Sequence, residues 1–142
     1  MSEKNYQALI KDRIFIGGAD QVEEVMENEK VDVIYDLRAE APTEESKYNR
    51  IHQPIVDDEE HQEESVKQAI NEVISSYNEG KKVYFHCGGG SNRTGTVAIG
   101  TLLGLGHAEE IDKAEEMAKG IRSKIKVKPE MKVALKKIYP NA

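Results

Sequence analysis

The sequence predicts an α/β fold, with a central, mainly parallel sheet flanked by helices. Residues 31–37 and 82–86 are nearly continuous apolar runs, the pattern of strands covered on both faces. Between them, Val66, Ala69, Ile70, Val73, Ile74 and Tyr77 recur at helical spacing. After the second run, three glycines lead into a small, apolar stretch over residues 94–103, so strand, loop and helix follow one another directly.

Each element can be justified in turn. Residues 13–16 (Arg-Ile-Phe-Ile) read as the first strand, ended by Gly17-Gly18. Asp20 stands where an N-cap would open a helix carrying Val22, Val25 and Met26. The strand over 31–37 follows, then a polar loop from Arg38 to about Arg50. Residues 51–56 make a further short strand, and Pro54 confines it to an edge or a strand end. The helix through Val66 and Tyr77 closes at Gly80, and 82–86 form a central strand. Beyond the glycine loop and its helix, two more helices are predicted over about 108–124 and 129–138, with Pro129 at a first helical position. There is no internal repeat or linker, so residues 1–142 are read as one domain.

Composition narrows the function classes. Hydrophobic content of 38% and charged content of 32% suit a globular chain, and no apolar run nears the roughly 20 residues of a membrane helix. No membrane partner is expected. The first residues lack a basic segment followed by an apolar one, which predicts no secretory leader and a cytoplasmic location. A net charge of −6 argues against a nucleic-acid partner. Charge is uneven: Asp57, Asp58, Glu59, Glu60, Glu63 and Glu64 form an acidic block, while Lys119, Arg122, Lys124, Lys126, Lys128, Lys132, Lys136 and Lys137 make the C-terminal part basic. Both runs read as solvated faces. His52, His61 and His107 show no metal-ligand spacing, and one cysteine, Cys87, excludes a disulfide framework and a cysteine-rich zinc site. A lone cysteine is usually a small buried hydrophobe. Its neighbours give it another role.

Those neighbours are His86-Cys87-Gly88-Gly89-Gly90-Ser91-Asn92-Arg93-Thr94, at the carboxyl end of a strand, where ligands bind in such sheets. Glycines at 88, 89 and 90 let successive N–H groups turn inward around an oxyanion, with Ser91 and Asn92 completing the curl. The following helix adds its N-terminal amides and dipole. Arg93 can grip two phosphate oxygens with its planar fork, and the same positive setting favours Cys87 as a thiolate nucleophile. His86 fits an orienting role better than that of a base, and the Thr94 hydroxyl can donate to the sulfur.

The pattern His-Cys-x5-Arg-Thr, with Gly90 at the third x and Thr94-Gly95-Thr96 after it, resembles the signature loop of the cysteine-based protein tyrosine phosphatase superfamily. The likeness extends to Gly17-Gly18, Asp36-Leu37-Arg38 and Gly120-Ile121-Arg122-Ser123. The chain is too short for the larger tyrosine-specific domain and is similar to the compact dual-specificity type, which implies a dual-specificity phosphatase-like fold. The segment Gln53-Pro54-Ile55-Val56-Asp57-Asp58 is similar to the Pro-x-x-Asp segment of that type. This implies Asp57 as general acid, with Asp58 the alternative. The resemblance implies phosphomonoester hydrolysis through a phosphocysteine, without metal or cofactor. Implied partners are phosphorylated proteins, bearing phosphotyrosine or also phosphoserine and phosphothreonine, or a small phosphomonoester. Alternatives are an RNA 5′-triphosphatase-like enzyme, to which Asn92-Arg93-Thr94-Gly95 is also similar, a phosphoinositide phosphatase, a rhodanese relative, and a phosphate-binding module without turnover. The lack of lysine inside the loop weighs against phosphoinositides. Arg38, Tyr48 and Arg50 are candidates to line the pocket mouth, with ordinary loop residues as the favoured reading.

Overall fold

The computed structural model describes residues 5–39, 50–56 and 59–142. Among these residues, five strands form one sheet in the order β1-β2-β5-β3-β4, where β1 is Gln7–Ile10, β2 Ile14–Gly18, β3 Val33–Asp36, β4 Arg50–His52 and β5 Val83–Cys87. Strand β5 runs parallel to both of its neighbours, β2 and β3, and β3 is parallel to β4. Among the described strands only β1 is antiparallel, hairpinned onto β2. The expected central, mainly parallel sheet is therefore what the chain forms.

Strand β5 is buried along its whole length, and its side chains alternate between two cores. Val83, Phe85 and Cys87 join the larger cluster with Val66, Ile70 and Val73 of α2 (Glu59–Asn78), Val97 and Ile99 of α3 (Asn92–Gly104), Ala114 of α4 (Ile111–Ile121) and Leu135 of α5 (Pro129–Ile138). Tyr84 faces the other way, among Phe15, Ile34 and Val25 of α1 (Val22–Glu29). Helices thus cover both sides, as the unbroken apolar strands require.

The structure corrects several local expectations. Asp20 is not an N-cap: it lies within a 3-10 turn, Ala19–Gln21, and Gln21 precedes α1. The reason is that Gln21 Oε1 accepts the Gly18 N–H at 2.8 Å, while Ala19 N–H donates to Gly88 O at 3.0 Å. The strand β1 was not foreseen. Its buried anchor is Leu9 alone, and the turn before β2 uses Asp12 at φ 62°, a non-glycine residue in the left-handed region. Strand β4 is shorter than expected, ending before Pro54, and it occupies the sheet edge. Helix α3 begins at Asn92, and α4 stops at Ile121 because Arg122 turns extended, φ −135° and ψ 105°. Gly80 at φ 85° closes α2, and Pro129 opens α5, as expected.

Candidate active site

Strand β5 delivers Cys87 to the carboxyl edge of the sheet, opposite Gly18 of β2, with 6% of its surface exposed. The chain then turns through Gly88–Gly90 into α3. Only Gly90 needs to be glycine on backbone grounds: its φ is +70°, and an added Cβ would lie 2.6 Å from the Gly17 carbonyl carbon and oxygen. A Cβ on Gly88 or Gly89 would meet nothing within 4 Å, so the expectation for three glycines narrows to one.

What shapes the loop is a set of donors holding its carbonyls. Ala19 N–H binds Gly88 O at 3.0 Å; Arg122 Nη2 binds Gly89 O at 3.1 Å and its Nε binds Gly90 O at 2.9 Å. In a trans peptide the N–H points opposite to the C=O. Fixing these three oxygens therefore aims the amides of Gly89, Gly90 and Ser91 to the other side of the loop, which makes an anion nest.

The next residues bring polar groups to the sulfur. Thr94, fully buried in the first turn of α3, places Oγ1 3.1 Å from Cys87 Sγ and 3.5 Å from Gly17 O. A hydroxyl has one proton to give, and the shorter contact is to sulfur. Arg93 Nε donates to Ile55 O at 2.8 Å, so the arginine of the loop is tied to the segment leading to Asp57 and Asp58. That segment is held on its far side too, by Ile55 N–H on Leu37 O at 3.1 Å and by Gln62 Nε2 on Val56 O at 3.2 Å. Asp57 and Asp58 lie outside the described residues. Asn92 Oδ1 accepts the Lys128 N–H at 2.9 Å, so its side chain serves the segment before α5.

His86 sits on the face of β5 opposite Cys87, stacked on Tyr84 at 5.5 Å, with Nδ1 3.1 Å from Cys87 O. Burial pushes its pKa down, which keeps the ring neutral. Beside it in register is Asp36, wholly buried. Burial alone would raise that carboxyl, yet Arg38 overrides it, with Nε at 3.0 Å, Nη2 at 2.6 Å and the backbone N–H at 3.1 Å, and the pKa is lowered. Arg50 approaches the same carboxylate at 3.8 Å. Arg38 in turn is held charged, first by its hydrogen bond to Asp36, with Cys87 and Asp20 adding to the effect. Arg38 is thus no ordinary loop residue.

The sequence reading placed Arg122 within the family likeness and among the solvated basic residues, and gave it no part in the site. It is 3% exposed, and besides the loop carbonyls its Nη1 donates to Asn5 O and Gln7 Oε1, both at 2.7 Å. A signal was present. Ile111, Ala114 and Ala118 are the buried positions of α4, and Arg122 stands four residues after the last of them, where an unbroken helical spacing would also point inward.

The chain matches the family "Dual specificity phosphatase, catalytic domain" over residues 14–140. No curated protein sequence matches it significantly. Among solved structures it is similar to human DUSP28, with 17% identity and a TM-score of 0.80, covering 98% of this chain and 95% of that one. Similar too are Tk-PTP in the active form (20% identity, TM-score 0.79, 99% and 100% covered) and PTPMT1 in complex with PI(5)P (17%, 0.78, 96% and 96%). With a family match that takes in the sheet from β2 onward, the loop from Cys87 to Arg93 and all five helices, the chain belongs to the compact dual-specificity phosphatases of the cysteine-based protein tyrosine phosphatase superfamily.

Proposed function

We propose that the chain dephosphorylates phosphoproteins in the cytoplasm, at phosphotyrosine and also at phosphoserine or phosphothreonine, through a phosphocysteine on Cys87. The observation that carries this reading is the Thr94 hydroxyl 3.1 Å from Cys87 Sγ, at the mouth of a loop whose carbonyls are fastened outward. Sulfur so placed faces whatever anion the amides of Gly88 to Asn92 and the Arg93 guanidinium bind. The thiolate attacks phosphorus, forming the S–P bond as the ester P–O bond breaks, and Asp57, or Asp58 in its place, protonates the leaving oxygen. Water then attacks phosphorus while the same carboxylate takes its proton. The S–P bond breaks, releasing phosphate and restoring the thiolate. Loop amides and Arg93 carry the charge of the equatorial oxygens in both steps, and Thr94 eases departure of the sulfur. His86 orients the loop through Cys87 O, and neither step calls for a metal or cofactor.

Hydrolysis of p-nitrophenyl phosphate in the presence of chelator tests this mechanism. Wild type is expected to turn over, with Cys87→Ser inactive and Arg93→Ala lowered at least about a hundredfold in kcat/KM. Full activity of Cys87→Ser, or a requirement for added metal, would overturn it. Comparing Asp57→Asn with Asp58→Asn assigns the acid, through loss of the limb of the pH–rate profile that depends on the protonated carboxyl.

A second reading, a small phosphomonoester such as a phosphoinositide, draws on the likeness to PTPMT1, which has been solved with PI(5)P. The loop carries no lysine, which weighs for phosphoproteins. The use of the Asn92 side chain on Lys128 N–H weakens the RNA 5′-triphosphatase reading, which rested on Asn92-Arg93-Thr94-Gly95.

A further inference from the structure

A net charge of −6 conceals a local positive excess beside the loop. Between α4 and α5 the chain runs Ser123-Lys124-Ile125-Lys126-Val127-Lys128. Ile125 and Val127 are buried while Lys126 and Lys128 are exposed, the period-two alternation of extended chain, and Lys128 has φ −72° and ψ 153°. The inward side packs on the first turn of α3. A Cβ on Gly95 would lie 2.6 Å from Ile125 Cγ2 and 2.9 Å from Val127 Cγ2, and Lys128 N–H is bonded to Asn92 Oδ1 at 2.9 Å. Asn92 and Arg93 end the anion loop, so the segment that carries these exposed lysines packs beside it.

These lysines differ from others of the basic C-terminal part. Lys119 and Lys132 both pair with Glu115, at 3.7 and 2.9 Å. Lys124, Lys126 and Lys128 have no carboxylate partner among the described residues. Extended chain repeats a face every two residues, about 7 Å, so Lys126 and Lys128 match the spacing of same-face side chains on an extended peptide.

We propose that Lys126 and Lys128, with Lys124 beside them, form a docking strip for an acidic, extended segment of the phosphoprotein substrate next to its phosphorylated residue. This rests on the phosphatase reading and adds a substrate preference to it. A bilayer fits less well: the large apolar side chains exposed among the described residues are Ile51, Met117 and Val133, none of them on the strip. RNA would need stacking platforms, and the strip has no aromatic residue. Exposed charge pairs act weakly one by one and are screened by salt, so the preference is a modest one that salt abolishes.

The test compares two phosphotyrosine peptides that differ only in Asp/Glu or Asn/Gln flanks. Wild type should favour the acidic peptide by about three- to tenfold in kcat/KM at about 0.05 M NaCl, mainly through KM, and by less than about twofold at about 0.5 M. The double variant K126E/K128E should lose or reverse the preference, and K126R/K128R should keep it. Equal kcat/KM for the two peptides with wild type at low salt, or a preference retained by K126E/K128E, would overturn the proposal. So would wild type that shows no peptide preference yet co-sediments with phosphatidylserine vesicles through these lysines, since the strip would then belong to a bilayer. If wild type does not hydrolyse p-nitrophenyl phosphate at all, the phosphatase reading fails separately. The strip is then judged by calorimetric affinities of Cys87→Ser for the two peptides: tighter binding of the acidic one supports it, and equal affinities overturn it.

Discussion

The guanidinium of Arg122 spends its donors on four oxygens from two distant segments, so removing it should be felt both in stability and in the loop. Arg122→Met leaves buried acceptors unpaired, and urea denaturation is expected to show a loss of about 2–4 kcal/mol. Because the loop amides are then no longer aimed, kcat should fall together with kcat/KM. Arg122→Lys, which cannot span Gly89 O and Gly90 O with a planar fork, should rescue little. His86 and Asp36 make a second prediction, in pH. Burial depresses the His86 pKa, so the unfolded chain binds the extra proton below about pH 6.5, and stability is lost as pH falls through that value. The Asp36 carboxylate is held below its ordinary value of about 3.9, so its contribution is present above that pH and lost as pH falls below it. The urea midpoint should therefore decline in two stages on acidification, and His86→Gln should flatten the first. A single decline, confined to pH below about 4, would contradict this assignment for His86.

Among elements, the turn from β5 into α3 makes unequal demands on its three glycines. Gly90→Ala forces a Cβ into the Gly17 backbone at a positive φ, and should cost about 1–3 kcal/mol and nearly all turnover. Gly88→Ala and Gly89→Ala point into open space and should keep kcat/KM within a few-fold. A steady-state comparison of the three variants checks this ranking. The order strand, loop, helix was legible because each part has a local signature: an apolar run, glycines, then small apolar residues. The ends of elements were less so. Helix α4 stops short because Arg122 is drawn to carbonyls 32 and 33 residues away, which no local propensity records. Strand β1 has a single strong β-former, Ile10, and exists because β2 offers it an edge.

For the molecule as a whole, the sheet order puts the one cysteine of the chain at the carboxyl end of the middle strand, flanked by β2 and β3 and roofed by α3. No second cysteine can trap an oxidised sulfur as an intramolecular disulfide. Hydrogen peroxide should therefore inactivate the protein, with early loss reversed by added thiol and later loss irreversible. Mass spectrometry should find sulfinic or sulfonic acid on Cys87, and bound phosphate or vanadate should slow the loss. The sequence by itself determined the α/β class, the strand–loop–helix unit and the succession from Cys87 to Arg93 and Thr94, because all of these depend on neighbours within a few residues. Tertiary structure alone decided that Arg122 fastens the loop, that Arg93 is tied to Ile55, and that the segment before α5 packs on the first turn of α3. Those relations join parts of the chain that come together only when the sheet is assembled and its two faces are covered.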